Sequence, residues 1–207
     1  MPIFFQQDIK PGTRMAVWKI EETEDFFLRS VPLQREITHP HKRLQHLAGR
    51  YLLHYLFPRF PVRLIQVADT RKPFLEDEAY HFSISHCGDY AAVIVSTHQR
   101  VGIDVEEVSE KVGRIMHKFL GPDEKAILDS EEGDLQRSTM AWSVKEAVFK
   151  WYGKGGVDFR EHIRIKSIRQ EGKGGFSTAV DFRKEAPQLL FLESLSFPGL
   201  FLSYIAT

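Results

Sequence analysis

Three short stretches concentrate the side chains that could do chemistry. In VGIDVEEV, the apolar residues Val101, Ile103 and Val105 alternate with Gly102, Asp104 and Glu106. A strand there buries the first set and points both carboxylates the same way. Side by side those carboxylates repel, and a hard, oxygen-seeking cation such as Mg²⁺ relieves the repulsion while leaving water sites open to phosphate oxygens. Without a metal, the same pattern describes an edge strand with solvated acids. On either reading Asp104 and Glu106 are expected to be exposed. In WSVKEAVFKWYGKG, Trp142, Glu146 and Lys150 fall one helical turn apart, with Lys145 and Phe149 on a neighbouring stripe. Glu146 could bind metal or take a proton while Lys150 neutralises a phosphate leaving group. As a plain surface pair, the two would be worth only about 0.3–0.5 kcal/mol. In FSISHCGDY, Ser85 and His86 end a strand and could hold a phosphate, or serve as a satisfied serine and a structural histidine. No HxH or CxxC spacing makes His86 a metal ligand, and Cys87, without a partner motif, reads as structural.

Elements must position these groups. Leu44, Leu47, Ala48, Tyr51, Leu52, Tyr55 and Leu56 repeat at helical spacing between Pro40 and Pro58. The other side of that helix carries Arg43, His46, Arg50 and His54 as one polar stripe. A second helix runs from a cap at Asp134 to Tyr152 and stops at the glycines from Gly153 onward. Strand patterns occur at VRLIQVAD, YHFSISH, YAAVIVST, RVGIDVE, HIRIKSI, GFSTAVDF and LFLSYIAT. Each half thus reads as a helix followed by strands. GDYAAVIVST at 88–97 and PGLFLSYIAT at 198–207 end the halves alike, as a duplication would, though two buried strands of independent origin need share no more than alternation and turns. The fold class is α+β in two similar halves, 1–103 and 104–207.

With 207 residues and 43% hydrophobic content, the chain can bury one sizeable core or two small ones. The 28 basic and 28 acidic residues balance, so no overall field draws it to nucleic acid or to an anionic membrane. No apolar run reaches a membrane span, MPIFFQQDIK lacks the features of a secretion signal, and a single cysteine forms no internal disulfide. The cytoplasm is the expected compartment. Charge is segregated along the chain: residues 35–72 hold eight Lys/Arg and four His against Glu36 and Asp69, and residues 104–134 hold ten acids against four Lys/Arg. A basic face and an acidic face suit a metal-bridged polyanion, and equally suit two solvated surfaces. Arg71 and Lys72 before Pro73 in TRKPFL add two cations ahead of a rigid turn.

In order and spacing, SISH at 83–86, GIDVE at 102–106 and the WSVKEAVFKWYGKG helix resemble the 4'-phosphopantetheinyl transferases, specifically the monomeric surfactin-synthetase-activating (Sfp-type) class. The resemblance runs from about Arg43, through the KP of RKPF, to about Gly155. It implies two α+β halves in pseudo-two-fold arrangement. It also implies transfer of phosphopantetheine from coenzyme A to a serine of an apo acyl or peptidyl carrier protein, with release of adenosine 3',5'-bisphosphate. By the same resemblance Asp104, Glu106 and Glu146 would ligate Mg²⁺, and Glu146 would also act as general base. Lys150 and His86, with Ser85 beside them, would contact the CoA pyrophosphate, and Arg43, Arg50 and Lys72 would lie near the 3'-phosphoadenosine, with Arg35 or Lys42 as substitutes for either arginine. Two places depart from the family pattern: Cys87 stands where a serine often follows, and KFLGPDE stands in the segment that helps receive the carrier. The alternatives are a metal-dependent phosphodiesterase that hydrolyses the CoA pyrophosphate and a catalytically silent CoA-binding regulator.

Overall fold

In the computed structural model, which describes residues 3–128 and 134–207, the chain divides between Ile103 and Asp104. One unit is Met1–Ile103 with Thr207, and the other is Asp104–Ala206. The first unit opens with a hairpin of β1 (Ile3–Lys10) and β2 (Thr13–Lys19), turned at Gly12. There follow α1 (Glu24–Leu28), α2 (Pro40–Leu56), a short 3-10 turn at Val62–Leu64, β3 (Gln66–Val67), β4 (Pro73–Phe74), β5 (His81–Cys87) and β6 (Tyr90–Ser96). The main sheet has the order β1-β2-β6-β5, and β3 and β4 form a separate two-stranded ribbon.

Pro40 sits in the first turn of α2, where its missing N–H would have had no helical partner, and the helix ends at Leu56, ahead of Pro58. Its apolar face, with Leu47, Leu52 and Leu53, packs with Phe82, Val93 and Val95 of the sheet and with Trp18 and Phe27. A Cβ on Gly49 would stand 2.8 Å from Ile84 Cγ2, so the approach of α2 to β5 requires glycine there. Two sequence expectations change. The hairpin precedes the first long helix, and 62–69 is mostly turn with a two-residue strand. β2 eluded alternation because it lies between β1 and β6 and is buried almost throughout.

The second unit is entered within β7 (Val101–Glu107) and continues through α3 (Glu110–Phe119), α4 (Pro122–Leu128), α5 (Leu135–Tyr152), β8 (Ile163–Glu171), β9 (Gly175–Phe182), β10 (Gln188–Phe197) and β11 (Leu200–Ala206). The sheet order is β7-β11-β10-β9-β8. The Asp134 side chain accepts the Gln136 and Arg137 amides at 3.1 Å, and Gly153 closes α5 in the left-handed region at φ 72°. Val144, Ala147, Val148 and Trp151 of α5 share a core with Phe182, Leu192, Phe201 and Ile205. Two α+β units with mixed sheets and helices bear out the α+β class. No helix among the described residues is long and apolar enough to cross a membrane.

Candidate active site

The second unit gathers the carboxylates. β7 is buried on both faces from Val101 to Val105, so Asp104 is only 1% exposed, which corrects the expectation of an exposed acid. The cause is α5, which lies over the strand: Ser143 Oγ donates to Asp104 O at 3.4 Å, and Lys150 Nζ donates to Asp104 Oδ1 at 2.5 Å. Glu106, farther along, is half-buried and accepts Trp142 Nε1 at 3.3 Å. Trp142 itself packs edge-on against Phe119 and at a tilt against Phe159, so its indole is fixed by packing while its N–H serves the acid.

Glu146 sits one turn before Lys150. Burial pushes its carboxyl up to about 7, the Asp104 and Glu106 carboxylates push the same way, and Lys150 partly opposes them. Burial draws the Lys150 ammonium toward neutrality, but Asp104, Glu146 and Glu106 outweigh it and hold the group above its ordinary range. The direct partner of Lys150 is therefore Asp104, across from α5, rather than a simple i,i+4 Glu146 pair. Among the described residues no three Asp, Glu, His or Cys side chains are placed to hold a metal ion as they stand. The donor set is nonetheless one of hard oxygens, three carboxylates against one ammonium, with Glu146 displaced toward its neutral form by burial and by its anionic neighbours. That excess of negative charge fits a hard divalent cation.

A brace missed by the sequence reading supports this helix. Lys145, wholly buried, meets Glu124 Oε1 at 2.6 Å and donates to Phe119 O at 2.6 Å and Phe159 O at 2.9 Å. Glu124 in turn accepts the Gly121 and Ile165 amides, each at 2.9 Å. The pair ties α4, β8 and the end of α3 to the helix that carries Glu146 and Lys150. Nothing in the pattern of KFLGPDE marks a buried charge.

The first unit gathers the cations. A cavity of about 440 Å³ is lined by Arg35, Lys42, His46, Arg50, Arg71 and His86, together with Ile37, Gln45, Val67, Pro73 and Ile84. His46 and Arg50 are 6% and 8% exposed, and neither His46 Nε2 nor Arg50 Nε has a hydrogen-bond partner among the described residues. Burial, with Arg50, Arg35 and His86 nearby, pushes His46 down to about 3. Burial and Arg35 lower Arg50 to about 10. Of the residues predicted from sequence, Arg50 and His86 line this cavity. Arg43 does not: its Nε lies 2.7 Å from Glu24 Oε2 and its Nη1 donates to Ile37 O, an arrangement that ties α1 to α2. Ser85 is buried on β5 and Lys72 is half-buried, lowered to about 8 by burial and then by Arg100; neither lines the cavity. His46, placed on the polar stripe by its spacing, was not singled out, because spacing alone does not reveal that a histidine lacks a partner.

Residues 100–196 match the family model described as the 4'-phosphopantetheinyl transferase superfamily. Similar proteins include "4'-phosphopantetheinyl transferase gsp" of Aneurinibacillus migulanus, 36% identical over 111 residues that cover 53% of this chain and 46% of the relative. "4'-phosphopantetheinyl transferase psf-1" of Bacillus pumilus is 32% identical over 111 residues, covering 51% and 47%. "Enterobactin synthase component D" of Salmonella austin is 30% identical over 118 residues, covering 53% and 47%. The chain spans about half the length of the curated relatives it matches. These matches bear out the resemblance read from the three motifs.

Proposed function

We propose that this chain, a homologue of the 4'-phosphopantetheinyl transferases, moves 4'-phosphopantetheine from coenzyme A to a serine of an apo acyl or peptidyl carrier protein. The observation that carries the reading is the Glu146 carboxyl, pushed to about 7 within the cluster of Asp104, Glu106 and Lys150. A carboxyl at that value is matched to taking a proton from a hydroxyl near neutrality.

The serine oxygen forms a bond to the β-phosphorus of coenzyme A as the bond from that phosphorus to the bridging oxygen breaks. Adenosine 3',5'-bisphosphate leaves. Glu146 receives the serine proton, and Lys150, held charged by its three acidic neighbours, offsets negative charge on the phosphates. Asp104, Glu106 and Glu146 are the residues that would hold Mg²⁺, which supplies charge neutralisation on the pyrophosphate when bound. His46 and Arg50, buried with polar atoms unbonded among the described residues, hold the phosphate monoester of the nucleotide end, and His86 on the cavity rim holds the pyrophosphate. The nucleophile belongs to the carrier, so no covalent enzyme intermediate is needed.

Intact-mass measurement of several apo carrier proteins, after incubation with the chain, coenzyme A and Mg²⁺, tests this. The expected result is a gain of one phosphopantetheine. Release of adenosine 3',5'-bisphosphate with no carrier present would point to a hydrolase instead, and tight coenzyme A binding without turnover would point to a regulator.

A further inference from the structure

Arg71 occupies a backbone position that suits glycine. The β3–β4 hairpin turns through Asp69, Thr70 and Arg71, with Val67 opposite Pro73. The Arg71 amide donates to Ala68 O at 2.8 Å, and the Ala68 amide donates to Lys72 O at 3.0 Å. Those bonds describe a tight turn followed by a bulge residue, and the bulge residue takes the left-handed region, with φ 67° at Arg71. A Cβ-bearing residue there costs about 1 kcal/mol or more, and glycine avoids that cost. These closing bonds are made by backbone groups, so they make no demand for an arginine side chain.

The side chain instead reaches the rim of the cationic cavity. There it joins Arg35, Lys42 and His86 around the buried, partnerless atoms of His46 and Arg50, and among the described residues it makes no ion pair of its own. An exposed guanidinium held at backbone strain among like charges has two costs that no ion pair among the described residues offsets. Strain that persists beside a ligand cavity is strain that a ligand can make useful. We infer that Arg71 is a specificity-determining residue of this cavity, adding a guanidinium fork to the phosphate group that His46 and Arg50 receive. The inference rests on the coenzyme A reading above, and it makes the hairpin turn, with Pro73 fixing the strand after it, a device for aiming one side chain.

The test is calorimetric titration of coenzyme A and of adenosine 3',5'-bisphosphate into the full chain and three variants, with melting temperatures measured alongside. Arg71→Gly is expected to keep or raise the melting temperature while weakening both ligands about 10-fold, the loss of a charge-assisted hydrogen bond in a part-open site. Arg71→Lys, which keeps the charge and loses the fork, should recover part of that affinity. Glu78→Gly relieves the other non-glycine positive-φ residue among the described residues, at 50°, which does not line the cavity, and should leave both affinities unchanged. Wild-type affinity in Arg71→Gly overturns the assignment of Arg71 while leaving the coenzyme A reading standing. A fall in melting temperature that parallels the lost affinity also overturns it, because the role would then be structural. A wild type that binds neither ligand overturns both readings together.

Discussion

Helices α2 and α5 each bury charge, but they treat it differently. On α5, Lys150 is clamped to Asp104 and Lys145 to Glu124, so every buried ammonium has its carboxylate. On α2, Arg50 is a buried cation beside a His46 that burial keeps neutral, and both carry polar atoms that lack hydrogen bonds among the described residues. Paired charge inside a protein sets geometry, and breaking the pair is costly. Unpaired charge of one sign stores an unmet demand, which an ionic ligand can satisfy. Under the proposed function, the α5 side supplies the reacting groups and the α2 side receives the anion.

That contrast breaks first, and most visibly, at Glu146. Glu146→Gln should lower carrier modification by at least about 10²-fold with little change in melting temperature, because only the proton-accepting and ligating charge is lost. A rate within a few-fold of wild type would reduce the α5 cluster to structural ion pairing. Asp104→Ala should be as inactive, but for a mixed reason: it also removes the carboxylate bonded to Lys150, leaving Glu146 and Glu106 beside that ammonium, so a fall in stability of about 2 kcal/mol should accompany it. Denaturant unfolding separates the two effects.

Next in size is the brace. Glu124→Gln leaves the Lys145 ammonium buried without a counter-charge and should cost about 3 kcal/mol in denaturant unfolding, whereas adding Lys145→Met should cost much less than the sum of the two single changes. Additive losses would mean that the pair is not coupled.

Arg50→Met should move stability in the opposite direction to Glu124→Gln. With no carboxylate partner to lose, the ligand-free protein should hold or gain melting temperature. Coenzyme A binding should weaken about 10-fold or more, and dephospho-coenzyme A, which lacks the 3'-phosphate, much less. Equal losses for both ligands would move Arg50 off that phosphate.

The finest difference is in pH. Unfolded, His46 takes a proton near 6.5, but in the fold it resists until about 3, so its contribution to stability is present above 6.5 and lost as pH falls from 6.5 toward 3. Glu146 runs the other way: ordinary at 4.5 and raised to about 7, it favours the fold at low pH, and that contribution is lost as pH rises from 4.5 through 7. In ligand-free, chelator-treated protein, His46→Gln should flatten the first slope and Glu146→Gln the second. If either variant keeps the wild-type slope, the corresponding group is not the one that titrates.

Much of the framework was legible because it follows from local rules. Apolar spacing and prolines bracket α2, and Asp134 with Gly153 brackets α5. Strict alternation gives β9 at GFSTAVDF. β2 was missed because a central strand buried almost throughout loses its alternation, and β10 because the exposed Leu189 and Phe191 blur the pattern. At the candidate site, residue types and spacing point to Asp104, Glu106, Glu146 and Lys150, which the fold brings together, but not to the burial of Asp104, since α5, which covers β7, is far away in sequence. Arg43 shows the same limit: on a polar stripe it looks like Arg50, and only the placement of Glu24 separates them.

The saturation of Lys145 has a practical side. An ammonium has three protons, and here a carboxylate and two carbonyl oxygens stand ready for them in a spot with no exposed surface. An amine-acylating reagent must reach the nitrogen, and this one is enclosed while the fold holds. Lys145 should consequently be acylated at the pace at which the fold opens, so that peptide mass mapping of its modification over time would work as a clock for that opening.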